Sequence, residues 1–141
     1  MKRGIQAQSQ AQAQIKSKGV SKMTTFDRIT RAQIIRLVEL GELAPNYLLT
    51  INSDPKTIKG LKYGILTGVL YGTPATGSGA WNDCPFASLG CMLACLNTSG
   101  HGGISIDSDG LNGVQIARLI RSAFFHLQRD AFWAQLIKEI Q

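Results

Sequence analysis

Apolar residues recur at helical spacing near the first third of the chain. The stretch "TRAQIIRLVELGEL" begins with Thr30, a typical N-cap residue, and contains Gly41, which suits the left-handed position after a helix. Its apolar stripe has four members: Ile34, Leu37, Val38 and Leu40. The pattern predicts a helix that packs this stripe against a core.

Three further helices are predicted in the second half of the chain. In "VQIARLIRSAFFHLQ" the residues expected to face the core are Val114, Ala117, Leu119 or Ile120, and Phe124. In "RDAFWAQLIKEI" the expected apolar face consists of Phe132, Leu136 and Ile140. A short helix is expected to begin near Ser88 and to include "LGCMLACLNT".

Extended structure is predicted in two places. In "APNYLLTI" Tyr47, Leu49 and Ile51 alternate with other residues, and the "NSDPK" that follows is typical of a turn. In "GLKYGILTGVLYGTP" a glycine recurs at every fourth position, but the apolar run is too short for a membrane helix, and Thr, Tyr and Gly favour a strand. We expect one long or broken strand over residues 62–71, with its glycines at bulges or close backbone contacts.

These elements predict a small α/β or α+β fold with one or two strands and three to four helices. A strand as apolar as residues 62–71 favours neighbours on both edges, and a two-stranded ribbon alone is marginal in water. The interpretation that the chain is the front part of a larger α/β domain, which would self-associate or need a C-terminal partner, therefore stays open.

Charge is distributed unevenly along the chain. Residues 1–23 carry five basic and no acidic side chains and include the low-complexity run "QAQSQAQAQ", which predicts a disordered basic tail. Residues 24–141, expected to form a single domain, hold ten basic and nine acidic side chains. Weak contact with nucleic acid is therefore expected from the tail alone.

The apolar pattern and the cysteine count bear on location. No run of eighteen apolar residues occurs, so we expect no membrane span. Three cysteines are an odd number and a poor disulfide framework, which favours a reducing cytoplasm.

The three cysteines fall within twelve residues, as C-x6-C-x3-C at Cys84, Cys91 and Cys95. A loop ligand and two thiols four residues apart on one helical face could converge on one metal centre, and thiolates suit iron–sulfur clusters, zinc and copper(I). His101 could complete a Cys3His zinc site. Residues expected to line the open side of the centre are Asn97, Thr98, Gly100, Gly102 and Gly103.

Three other interpretations stay open. The cysteines could be small buried hydrophobes, or one of them could be a nucleophile paired with His101 or His126. The chain could also be a binding module without catalytic activity, either zinc-stapled or metal-free, that contacts nucleic acid or a host protein. Its basic tail, or a face formed by Arg118 and Arg121 with Phe124 and Phe125, would then make the contact.

The cysteine block resembles one found in the phage "gene product 88" family, of the form C-P-x-A-S-x-G-C-x-x-x-C-L-N-T-x-G. The matching residues are Cys84, Pro85, Ala87, Ser88, Gly90, Cys91, Cys95, Leu96, Asn97, Thr98 and Gly100. The segment after it is also similar, at Gln115, Ala117, Arg118, Phe124, Phe125, Arg129, Asp130 and Phe132. The resemblance covers about residues 45–141. It implies a phage protein in the host cytoplasm, with relatives that continue past position 141 with further strands.

Overall fold

The computed structural model describes residues 29–53, 55–98, 103–104 and 111–141. Its elements in chain order are α1 (Arg31–Glu39), β1 (Leu49–Ile51), α2 (Pro55–Leu61), β2 (Gly68–Leu70), α3 (Leu89–Leu93), a 3₁₀ turn (Leu96–Thr98), α4 (Gly113–Leu127) and α5 (Arg129–Ile140). The strands pair antiparallel, with Thr50 opposite Val69. Within these ranges the chain has a small α+β fold of five α-helices and one two-stranded sheet. The tail predicted over residues 1–23 lies outside them.

The capping signals predicted for α1 are confirmed at both ends. The Thr30 hydroxyl accepts a hydrogen bond from the Gln33 N–H, and the Gln33 side chain accepts one from the Thr30 N–H. At the other end Gly41 adopts a φ of +73°. The N–H groups of Glu42 and Gly41 then bond to the carbonyls of Leu37 and Val38, so a Schellman motif ends the helix.

The strand predicted over residues 62–71 is wrong for most of its length. Pro55, whose fixed φ suits the first turn of a helix, opens α2, which extends to Leu61, and only Gly68–Leu70 form a strand. Gly64 has a φ of +69° and ends α2 with a second Schellman motif, in which the Ile65 N–H bonds to the Gly60 carbonyl. The glycine repeat thus includes a helix cap and is not a set of strand bulges.

The core forms where α1 and α5 pack on α4. One cluster of buried side chains contains Val38, Leu48, Ala123, Phe124 and Phe132. A second contains Ile34, Leu111 and Leu119. Trp81, Leu43 and Ile120 contact both clusters, so the two form one continuous apolar layer.

Three residues predicted to face the core do not. Leu40 is the C-cap of α1 and is 51% exposed, because the chain leaves the helix there. Val114 in the first turn of α4 and Ile140 in the last turn of α5 belong to neither core cluster, and are 37% and 69% exposed. No helix in the described ranges is both long enough and apolar enough to cross a bilayer.

A carboxylate joins α5 to the start of the sheet. Glu139 accepts hydrogen bonds from the backbone N–H groups of Leu48 and Leu49 at 2.8–3.0 Å, and from the Gln135 side chain at 2.8 Å. Burial alone would raise the pKa of Glu139. The bonds from Leu49, Leu48 and Gln135, together with the nearby Arg121 guanidinium, outweigh burial and hold that pKa below its usual value of 4.5.

Replacing Phe132 tests where the core lies. Phe132 is 2% exposed, and we expect Phe132→Ala to lower the free energy of unfolding by about 3–5 kcal/mol because it leaves a cavity. Phe86 is 99% exposed, so Phe86→Ala serves as the matched control and should change it by less than about 0.5 kcal/mol. Urea unfolding measures both; equal losses would contradict this placement of the core.

The low pKa of Glu139 predicts a pH-dependent contribution to stability. The contribution is present above the usual pKa of 4.5 and is lost as the pH falls through the lower folded-state pKa. Urea melts between neutral and acidic pH should show a smaller decline in stability for Glu139→Gln than for the unmodified chain. The exposed Glu42→Gln is the control, and identical pH profiles for all three proteins would exclude this role for Glu139.

Candidate metal centre

The cysteine segment, residues 84–95, contains the short helix α3. The helix begins beside Ser88, as predicted. Ser88 is its N-cap, and the Ser88 hydroxyl accepts a hydrogen bond from the Cys91 N–H at 3.2 Å. The helix ends at Leu93, with Ala94 as its C-cap, so Cys95 lies beyond it. The prediction that Cys91 and Cys95 share one helical face is therefore wrong.

All three thiols are free, and none is buried. Cys91 is exposed, and Cys84 and Cys95 are half-buried. The interpretation of the cysteines as small buried hydrophobes is thus wrong for Cys91 and unsupported for the other two. Four large apolar side chains in and beside the segment are also exposed by 69–99%: Phe86, Leu89, Leu93 and Leu96.

The three thiols are not assembled into one site. Among the described residues, no group of three His, Cys, Asp or Glu side chains is placed to hold a metal ion. His101, Gly100 and Gly102 lie outside the described residues, so their predicted roles stay predictions. Thr98 ends the 3₁₀ turn, and Gly103 is half-buried.

The segment is attached to α4 just before its first cysteine. Asp83 Oδ1 lies 2.5 Å from His126 Nε2, on the last turn of α4, and both side chains are mostly buried. The indole of Trp81 lies against the His126 ring with centroids 4.7 Å apart, and the edge of Phe125 contacts it at 5.1 Å. His126 thus fixes the start of the segment to α4 through Asp83. The position of His126 in an amphipathic helix did not indicate this role.

A second attachment follows the last cysteine. The Asn97 side chain donates to Gln115 Oε1, and the Gln115 side chain donates to the Asn97 carbonyl, each at 3.0 Å. Arg118 donates to the same carbonyl at 2.9 Å and also contacts Asn97 Oδ1. Asn97, which the sequence indicated as a lining residue, therefore uses its side chain to join the segment to α4. Whether it also borders a cofactor stays a prediction.

A cavity of about 280 Å³ adjoins the first attachment. Its walls are mainly apolar and come from the end of β2 and from α4 and α5, with Leu70, Phe132 and Trp133 among them. Asp83, Arg121 and Ser122 supply polar groups. The Ser122 hydroxyl already accepts a hydrogen bond from the Thr73 N–H at 2.7 Å. Because Asp83 precedes Cys84 directly, the cavity lies beside the start of the cysteine segment.

The chain matches no protein-family model, and comparisons with curated proteins and with solved structures found no match either. The resemblance to the gene product 88 family therefore stays a prediction that rests on the cysteine block itself.

Loss of the second attachment should loosen the cysteine segment. Gln115→Ala removes both amide hydrogen bonds to Asn97 and should lower the local opening free energy of residues 84–97 by about 1–3 kcal/mol. Hydrogen exchange read by mass spectrometry of peptides from this region measures the change. Gln135→Ala, which instead frees the loop at Pro45 and Asn46, is the matched control. Equal exchange of residues 84–97 in both variants would show that the attachment does not order the segment.

Proposed function

We propose that the chain is a metal-binding protein whose cysteine segment holds an iron–sulfur cluster through Cys84, Cys91 and Cys95. The observation that supports this most is the arrangement of the thiols. Three free and unburied thiols lie in one short segment that hydrogen bonds attach to α4 before its first cysteine and after its last.

Exposure of the thiols favours a chemical role over a packing role. Cysteines kept only for packing are among the most buried residues, whereas an exposed thiol is a liability because it oxidises. One exposed and two half-buried thiols within twelve residues are better explained as ligands. A reducing compartment such as the cytoplasm, where free thiols persist, belongs to the same proposal.

The donor set fits an iron–sulfur cluster chemically, although the ligands are not pre-assembled. Thiolates are the usual ligands of such clusters, and three of them would leave one iron of a four-iron cluster without a protein ligand. The open iron would provide a place for a substrate or cofactor to bind. In the described part of the chain, hydrogen bonds to α4 hold the flanks of the segment and not its middle. Residues 84–95 can therefore rearrange when metal binds, and binding would then be coupled to local ordering.

The exposed apolar side chains of the segment suit this role. Leu89 and Leu93 lie on α3 itself, Phe86 precedes it, and Leu96 directly follows Cys95. Folding around a metal centre would bring these side chains toward it. An apolar shell limits the access of water to a cluster and influences its reduction potential.

The proposal is tested by metal and sulfide analysis after anaerobic expression of the full chain. We expect iron and acid-labile sulfide in near-equal amounts and a charge-transfer absorbance that gives a brown protein. Cys→Ser replacement at Cys84, Cys91 or Cys95 should each remove most of the metal. Ala94→Ser, which adds a hydroxyl between two of the cysteines without removing a ligand, is the control and should retain it.

Two results would contradict the iron–sulfur assignment. A colourless protein with stoichiometric zinc that is lost in His101→Ser would show the alternative Cys3His centre. Full retention of metal in any one of the three Cys→Ser variants would show that the thiols do not share a centre.

A further inference from the structure

A second concave site lies along α4 and shares Arg118 with the second attachment. It is a groove of about 320 Å³ bordered by Thr50 on β1, by Tyr71 just after β2, and by the first half of α4. Arg118 and Arg121 project into it from α4, three positions apart and so on neighbouring parts of one helical face. No acidic side chain lines this groove among the described residues.

Neither guanidinium of this groove has a carboxylate within 4 Å in the part of the chain that the structure describes. Burial lowers the pKa of Arg121; the Glu139 charge raises it, and the neighbouring Arg118 charge lowers it further. Glu139 is committed to the backbone N–H groups of Leu48 and Leu49. The Glu139 charge thus offsets that of Arg118 at Arg121, but it forms no direct ion pair there. Two guanidinium charges therefore face the same groove, and a bound anion would interact favourably with both.

Hydrogen bonds hold both guanidiniums in place. Arg121 Nε donates to the Tyr47 carbonyl at 3.0 Å, and its Nη1 donates to the Ala117 carbonyl at 3.3 Å. Arg118 is held by the Asn97 carbonyl and lies 5.6 Å from the centre of the Tyr71 ring. These contacts use only part of the five N–H donors of each guanidinium, so the remaining donors are available to a ligand at low entropic cost.

The start of α4 adds to the positive potential. Gly113 and Val114, at its first two positions, border the same groove. The backbone N–H groups of a first helical turn and the helix dipole both favour an anion. The hydroxyls of Thr50 and Tyr71 offer further hydrogen bonds on the facing wall.

We infer that this groove binds the phosphate group of a small phosphorylated molecule. A phosphate presents several acceptor oxygens and up to two negative charges, which matches two guanidinium forks better than the two oxygens and single charge of a carboxylate. The carbon atoms of Val114, Ala117 and Tyr71 would contact an apolar group attached to it. Nucleic acid is less favoured, because residues 24–141 have ten basic against nine acidic side chains and so lack a strong positive charge.

The test is a titration of the full chain with phenyl phosphate at constant ionic strength, followed by NMR chemical shifts. We expect saturable shifts at Thr50, Tyr71 and the first turn of α4. Arg121→Gln should weaken binding about tenfold or more, because it removes charged hydrogen bonds. Arg36→Gln, an exposed arginine paired with Glu39, is the control and should leave the affinity unchanged.

A second variant and two competing probes test the phosphate site further. If Arg121→Gln lowers the melting temperature, Thr50→Val removes one hydroxyl at nearly constant volume and should still weaken binding. Benzoate and a short single-stranded oligonucleotide serve as competing probes. Binding of either as tightly as phenyl phosphate, or shifts that do not saturate, would overturn the assignment of this groove to a small phosphorylated molecule.

Discussion

The polar side chains of α4 determine how the loops of this protein are placed. The apolar face of the helix forms the core, and its other positions bond to chain segments that have little structure of their own. Ser122 holds the backbone at Thr73, Arg121 holds Tyr47, and Gln115 holds Asn97. Because these partners are loops or strand ends, each hydrogen bond fixes a loop relative to the core.

The candidate metal centre depends on the same helix. The Asp83–His126 contact precedes the cysteine segment and the Asn97–Gln115 contact follows it. The two contacts lie near opposite ends of α4. Between these contacts the segment exposes thiols and apolar side chains and contributes no residue to the buried core clusters. A loop that becomes ordered when it binds a metal needs attached ends and a middle that can rearrange. The segment between these two contacts has both features.

Local signals in the sequence predicted the local features well. Thr30, Gly41 and Ser88 mark helix ends as expected, because caps depend on the chemistry of a few neighbouring residues. Helix capping also explains why the strand predicted over residues 62–71 is wrong. Gly64 also caps a helix, but β-favouring residues around it led to the prediction of a strand.

The attachments of the cysteine segment could not be predicted in this way. His126 and Asp83 are 43 positions apart, and Asn97 and Gln115 are 18 apart, so only the folded chain brings them together. Asn97 belongs to the cysteine block and Gln115 to the segment after it, but nothing in the sequence indicates that the two side chains meet. The clustering of Cys84, Cys91 and Cys95 was visible in the sequence, whereas the end of α3 before Cys95 was not, since the cap at Ala94 carries no typical signal.

Alkylation of each cysteine tests most directly whether the segment is a metal-binding loop attached to α4 on both sides. Mass spectrometry would follow the reaction of Cys84, Cys91 and Cys95 with iodoacetamide before and after anaerobic reconstitution with iron and sulfide. We expect all three cysteines to react readily in the metal-free chain and to become protected together. A cysteine that stays equally reactive after reconstitution, or one already protected without metal, would contradict this expectation.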